Sequence, residues 1–209
     1  MIRIIIADDH AIVRKGIKQL ISEEYPSAEF GEAGDVETLI EYIIKKDWDV
    51  VICDITMPGR SGLEALQQIK QIKPELPVLI MSMHSEDQYA LRVLKAGASG
   101  YLNKDTVHDD LIRALQTIRL GRKFITPSIA EKLANALGYD SQKKMHEFLS
   151  DREFDVFKMI AAGKSVSEIA EQLNLSATTI STYRSRILEK MGMKTNADLT
   201  RYALENSLI

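Results

Sequence analysis

Five polar positions in the first half of the sequence are suited to phosphoryl chemistry. Asp8 and Asp9 follow Arg3-Ile4-Ile5-Ile6-Ala7. Asp54 ends Val50-Val51-Ile52-Cys53, Ser82 ends Pro77-Val78-Leu79-Ile80-Met81, and Lys104 lies just beyond Gly100-Tyr101-Leu102. Each group thus sits at the carboxyl end of a short apolar run. In an open parallel sheet these ends lie together, at the edge where such folds place their chemistry. Carboxylates crowded there repel and raise one another's pKa values unless a cation sits among them. A hard divalent ion with oxygen ligands, Mg²⁺ or Mn²⁺, meets that need. Lysine and hydroxyl would complete an anion site around a free carboxylate, as phosphoryl transfer to Asp54 requires. Taken alone, Asp54 serves equally well as a loop cap, because Pro58-Gly59 turns the chain just beyond it. The other strand-end groups decide between the two.

The elements that must position these groups alternate. Strands are expected at Arg3 to Ala7, Glu29 to Ala33, 50–53, Pro77 to Met81 and Gly100 to Leu102. Helices are expected between them, with Ile12, Ile17, Leu20 and Ile21 inward on the first and Leu39, Ile40, Ile43 and Ile44 inward on the second. Asp35 caps the second helix. Ser61-Gly62-Leu63-Glu64 opens the third as a capping box, with Leu63, Leu66, Ile69 and Ile72 inward, and Ser85-Glu86-Asp87-Gln88 opens the fourth. A last helix starts at Asp105 and closes at Gly121. This repeated pattern implies a doubly wound parallel sheet with helices on both faces. His10 reads as a loop residue; His84, His108 and His146 lack ligand spacing and read as solvated.

The chain of 209 residues is long for one domain and comfortable for two. No apolar stretch can span a bilayer and no signal-peptide pattern is present, so a cytoplasmic location is expected, with no membrane partner. The one cysteine, Cys53, lies in an apolar run and reads as inert packing. The net charge of -3 falls on residues 1–125, whereas 126–209 are neutral overall, with a local +3 in 182–194 from Arg184, Arg186, Lys190 and Lys194 against Glu189. Local charge, not net charge, points to a polyanion.

After a linker helix starting at Thr126-Pro127 and running to Gly138, and a polar tether from Tyr139 to Glu147, four helices are expected. Their punctuation is Ser150-Asp151-Arg152-Glu153 with Gly163, Ser165-Val166-Ser167-Glu168, Ser176 with Gly192, and Thr195-Asn196. A short helix, the turn Asn174-Leu175-Ser176 and a longer helix over Ala177 to Met191 read as a helix-turn-helix. Ile180, Ile187, Leu188 and Met191 point inward. Thr178, Ser181, Thr182, Ser185, Arg184 and Arg186 point outward, a face that suits a major groove.

Asp8-Asp9, Asp54 with Met57-Pro58-Gly59, Ser82, Tyr101 and Lys104 together resemble the receiver domain of two-component response regulators, over residues 1 to about 120. The resemblance implies Asp54 as phosphoacceptor. Asp9, Asp54 and the backbone carbonyl of Thr56 would ligate Mg²⁺, with Mn²⁺ able to substitute and Asp8 acting through water. It implies Lys104 on the phosphoryl oxygens, Ser82 as the switch hydroxyl where the family often has threonine, and Tyr101 as the aromatic that turns inward after it. Residues 146–209 resemble the LuxR-type DNA-binding domain. The motifs are Leu149-Ser150-Asp151-Arg152-Glu153, Ala162-Gly163-Lys164-Ser165, Glu168-Ile169-Ala170, Leu175-Ser176, Thr179-Ile180 and Arg184 to Met191.

The whole chain therefore resembles a NarL/FixJ-type response regulator. That implies a five-stranded flavodoxin-like sheet in the order 2-1-3-4-5 in domain 1–121, a linker over 122–145 and an all-α four-helix domain over 146–209. Double-stranded DNA, a sensor histidine kinase and a second copy of the chain are the implied partners. DNA contacts would come from Thr178, Thr179, Ser181, Thr182, Tyr183, Arg184, Ser185, Arg186, Lys190 and Lys194, and dimerisation from Leu199, Tyr202 and Ala203. Members often carry lysine at the positions of Thr178 and Ser181 and histidine at Tyr183, so this chain should show a shallower salt dependence. An aspartate-nucleophile phosphatase is the enzymatic rival, but it needs a second Asp where Thr56 stands. A phosphorylation-independent dimerisation module and an RNA-binding antiterminator are the other rivals; the complete acidic set opposes the first and the helix-turn-helix the second.

Overall fold

The computed structural model describes residues 1–83, 86–131 and 144–209, with the backbone alone at 86–88 and 151. The chain divides into two compact units, Met1–Tyr139 and Asp140–Ile209. Among the described residues no helix is long and apolar enough to cross a membrane.

The first unit alternates β1 (Arg3–Ala7), α1 (Ala11–Glu24), β2 (Glu29–Ala33), α2 (Val36–Lys45), β3 (Val50–Asp54), α3 (Gly62–Ile72), β4 (Val78–Ser82), α4 (Glu86–Lys95), β5 (Gly100–Asn103) and α5 (Val107–Arg119). The strands form one sheet in the order β2-β1-β3-β4-β5, all pairs parallel. This is the doubly wound order expected. Every residue of β3 and β4 is buried, as apolar strands covered on both faces must be. Ile4, Ile6, Val50, Ile52, Leu79 and Met81 pack with Leu111, Leu115 and Ile118 of α5 into the core beneath the strand ends.

Local chemistry sets the helix starts. The Ser61 and Glu64 capping box is formed on α3, and Asp35 accepts from the Thr38 amide on α2. The Ser85 box lies outside the described residues. α5 starts at Val107, not Asp105, because Asn103 accepts from the Asp105 amide and caps a 3₁₀ turn over Lys104–Thr106 first. Three expected inward residues face solvent instead: Ile12 is 76% exposed, Ile44 63% and Ile72 39%. Adjacent positions such as Ile43 and Ile44 lie about 100° apart on a helix, so the sheet-facing stripe takes only one of them.

Residues 127–131 are helical, and Thr126 Oγ1 accepts from the Ile129 amide at 3.4 Å. The rest of the expected linker helix, with Leu133, Leu137 and Gly138, lies outside the described residues, as do Tyr139 to Lys143. The far end of the expected tether is ordered: Met145–Phe148 form a 3₁₀ turn. There His146 is not a solvated side chain. Its Nδ1 lies 3.0 Å from the Tyr202 hydroxyl, and its ring packs against Phe154.

The second unit contains α6 (Asp151–Ala161), α7 (Val166–Gln172), α8 (Ala177–Lys190) and α9 (Asn196–Glu205). Ser150 and Ser165 form capping boxes with Glu153 and Glu168, and Ser176 and Thr195 also cap their helices. Asn174 takes a positive φ of 51° in the turn between α7 and α8, a conformation asparagine tolerates better than most residues. Phe154, Phe157, Ile160, Ile169, Ile180, Ile187 and Leu199 fill the core.

Candidate functional site

Parallel pairing carries the ends of β1, β3, β4 and β5 to one edge of the sheet, and the polar residues meet there. Asp8 and Asp54 are 1% and 5% exposed, and Ser82 is fully buried. Lys104 Nζ lies 2.7 Å from Asp8 Oδ2 and 2.7 Å from Asp54 Oδ2. Asp9 is solvent-exposed, and His10 Nδ1 lies 2.7 Å from its Oδ1 and 3.4 Å from Asp8 Oδ1. His10 is an exposed loop residue before α1, as expected, and Asp8, Asp9 and His10 offer three ligand atoms within 4.8 Å of one another.

The electrostatics follow from burial. Burial pushes the Asp54 carboxyl above its ordinary value. The Lys104 ammonium opposes this, Asp8 adds to it, and a hydrogen bond from the Thr56 amide opposes it. Lys104 is pulled down by burial, but Asp54 and Asp8 outweigh that and hold it above its ordinary value. The pair is thus firmly charged on the lysine side, while Asp54 still bears an uncompensated desolvation cost. A further cation beside Asp54 would offset that cost, and the carboxylates of Asp8 and Asp9 are oxygen donors of the kind a hard divalent ion takes. Burial also drives the Cys53 thiol far up, with Asp54 and Asp8 adding to the rise, so it stays protonated and inert, as expected.

One positioning residue escaped sequence reasoning. A Cβ built on Gly62 would stand 1.8 Å from the Asp54 carbonyl oxygen, and the Gly62 amide donates to the Ile55 carbonyl at 2.8 Å. Glycine alone lets the start of α3 lie against the strand end that carries the phosphoacceptor candidate. Its only sequence signal was a glycine inside a capping box. Tyr101 is fully buried on β5.

On the second unit, α8 shows Thr178, Ser181, Thr182, Ser185, Arg186 and Lys190 to solvent, with Lys194 exposed beyond it. Thr179, Tyr183 and Arg184 are half-buried. The Thr182 and Ser185 hydroxyls donate to the Thr178 and Ser181 carbonyls, which leaves their oxygens free to accept. Two of the basic side chains expected to contact DNA are tied internally. Arg184 Nε donates to Asn196 Oδ1 at 2.7 Å, and Lys190 Nζ lies 2.6 Å from Glu153 Oε2. The expected dimer residues of α9 differ in exposure. Leu199 and Ala203 are fully buried in their own unit and Tyr202 packs on Phe157, so the apolar side chain that α9 leaves open is Leu204, 62% exposed.

The response regulator receiver domain family matches residues 4–116, and the luxR family of bacterial regulatory proteins matches residues 147–203. Response regulator UvrY of Escherichia coli K12 is 32% identical over 209 residues, covering 100% of this chain and 96% of UvrY. The chain belongs to the NarL/FixJ-type response regulators.

The oxygen regulatory protein NreC of Staphylococcus carnosus is 33% identical to this response regulator, covering 99% of each chain. Among solved structures, it resembles RcsB of Salmonella enterica serovar Typhimurium bound to promoter rprA in the presence of phosphomimetic BeF3-. The identity is 30%, with 97% of this chain and 98% of RcsB covered and a TM-score of 0.65. An RcsB–DNA complex matches at 31% identity and a TM-score of 0.59, with 96% of each chain covered.

Proposed function

We propose that this response regulator is a DNA-binding transcriptional regulator, controlled by Mg²⁺-dependent transfer of a phosphoryl group from a sensor histidine kinase to Asp54. The observation that carries the reading is Lys104 placed between Asp8 and Asp54, with Ser82 on the adjoining strand.

An Asp54 oxygen attacks phosphorus, the bond to the donor nitrogen breaks, and an acyl phosphate remains. Asp9, Asp54 and the Thr56 carbonyl would hold Mg²⁺, with Asp8 acting through water; the bound ion supplies charge neutralisation for the incoming phosphoryl group. Lys104 transfers its contacts from the two carboxylates to a phosphoryl oxygen, and the Ser82 hydroxyl donates to another. The new group adds about -1.5 to -2 of charge, enough to bias a two-state element. Tyr101 turns inward behind Ser82 as the switch closes. Attack of water on the acyl phosphate returns the resting state, so the chain is a switch and not a turnover enzyme.

In the second unit, the exposed hydroxyls of Ser181, Thr182 and Ser185 suit base edges, and Arg186 and Lys194 suit phosphates. Leu204 is the apolar contact offered to a second copy. Two copies would present their α8 helices to half-sites about 10 bp apart. A cytoplasmic location and a division into 1–121, 122–145 and 146–209 complete the reading.

Asp54→Ala is expected to abolish labelling by a phosphoryl donor while circular dichroism and the melting transition show an intact fold. Persistent labelling of that variant overturns the assignment. Beryllofluoride is expected to raise the DNA affinity of the unsubstituted chain. An unchanged affinity would instead favour a receiver that acts only as a dimerisation module.

A further inference from the structure

We propose that Arg14 is a positioning residue that sets the Asp8–Asp9 backbone for metal binding, an inference that rests on the Mg²⁺ reading of the pocket. Arg14 lies on α1, outside the acidic set. Its Nη1 donates to the Asp8 carbonyl oxygen at 2.7 Å, and its Nε donates to Glu32 Oε2 at 3.1 Å. The side chain is only 17% exposed. Glu32 is anchored in turn by Lys18 Nζ at 2.6 Å. The Lys18 hydrogen bond, opposed by burial and reinforced by Arg14, holds the Glu32 carboxyl below its ordinary value, so both sides of the bridge stay charged.

The bond lands on the peptide joining Asp8 to Asp9. The other polar atoms of Asp8 are also held: its amide donates to the Ala33 carbonyl at 3.1 Å, Oδ1 accepts from the His10 amide at 2.8 Å, and Oδ2 meets Lys104. With Arg14 on the carbonyl, the peptide plane cannot rotate without breaking a charge-assisted hydrogen bond, and that plane aims the exposed Asp9 carboxylate. Two bonds from one planar fork, to the Asp8 carbonyl just beyond β1 and a β2 carboxylate, are a guanidinium geometry that an ammonium cannot reproduce.

Charge alone predicts the opposite effect on the ion. A cation beside an acidic pocket repels Mg²⁺, so its removal would tighten binding if Coulomb forces were all that Arg14 supplied. Positioning predicts weaker binding whether the charge is kept or lost.

Titration calorimetry of the full chain with MgCl₂ separates the two, with thermal melts to establish folding. Arg14→Lys and Arg14→Met are both expected to weaken Mg²⁺ binding roughly 10-fold, the usual cost of disturbing groups that orient metal ligands. Wild-type affinity in folded Arg14→Lys, or tighter binding in Arg14→Met, overturns the inference. Should Arg14→Met fail to fold, Arg14→Lys carries the decision alone. If the unsubstituted chain takes up no Mg²⁺, or Asp9→Asn binds it unchanged, the Mg²⁺ reading itself fails and the role of Arg14 falls with it. Loss in Asp9→Asn with no change in folded Arg14→Lys sinks the Arg14 inference alone.

Discussion

Lys104 Nζ sits 2.7 Å from an oxygen of Asp8 and 2.7 Å from an oxygen of Asp54, joining residues 96 and 50 positions away in sequence. The three side chains are 11%, 2% and 5% exposed. One ammonium thus bridges two carboxylates at the sheet edge and leaves the trio one charge negative.

Removing that ammonium leaves two buried charges without their shared partner. Lys104→Met is expected to destabilise the first unit by about 3–5 kcal/mol, the range for breaking a buried pair from one side. Saturating Mg²⁺ should recover part of the loss, because an ion bound only by the folded state stabilises it. Urea unfolding with and without MgCl₂ measures both quantities. No loss of stability in the variant would contradict the bridging role.

The raised carboxyl of Asp54 has a signed consequence for stability. The folded protein holds this proton more tightly than the unfolded chain, whose value is near 3.8. Stability therefore falls as pH rises from that value through the folded pKa, and then levels. Asp54→Asn lacks this loss. Its melting temperature is expected to gain on that of the unsubstituted protein as pH rises above 3.8, until the folded Asp54 is ionised. The raised pKa of Lys104 acts far from this window: its contribution is complete below 10.5 and is lost only as pH rises through the folded value. An offset that stays constant with pH would show that Asp54 carries no desolvation cost.

Gly62 admits no side chain, since a Cβ would overlap the Asp54 carbonyl. Gly62→Ala is expected to cost about 1–3 kcal/mol, as overpacking does. It should also slow labelling of Asp54 by shifting the end of β3. Chemical denaturation and phosphoryl-donor labelling test the two effects. Unchanged stability would mean that α3 moves away freely.

The internal ties of the second unit separate anchoring from DNA contact. Arg186→Gln is expected to lower the slope of log affinity against log salt by about 0.9, as loss of one phosphate contact requires. Lys190→Gln, which frees Glu153, should weaken binding with little change of slope. Fluorescence anisotropy at several salt concentrations distinguishes the variants. A slope change of the same size for Lys190→Gln would restore it as a phosphate contact.

The alternation of strands and helices, the helix caps at Ser61, Ser150, Ser165, Ser176 and Thr195, and the strand-end set of Asp8, Asp9, Asp54, Ser82 and Lys104 were legible in the sequence alone, whereas the strand order followed only from the family resemblance. The first three rest on spacing within a turn, on alternation of strand and helix, or on a polar residue that ends an apolar run, and such signals are local. Only the tertiary structure decided that Lys190 serves Glu153, that Leu199 and Ala203 belong to their own core, that Gly62 abuts Asp54, and that Arg14 grips the Asp8 carbonyl. Each of these joins different secondary-structure elements, and their partners meet only when the elements pack. An exposed-looking arginine or lysine carries no local mark of which distant carboxylate or carbonyl will claim it.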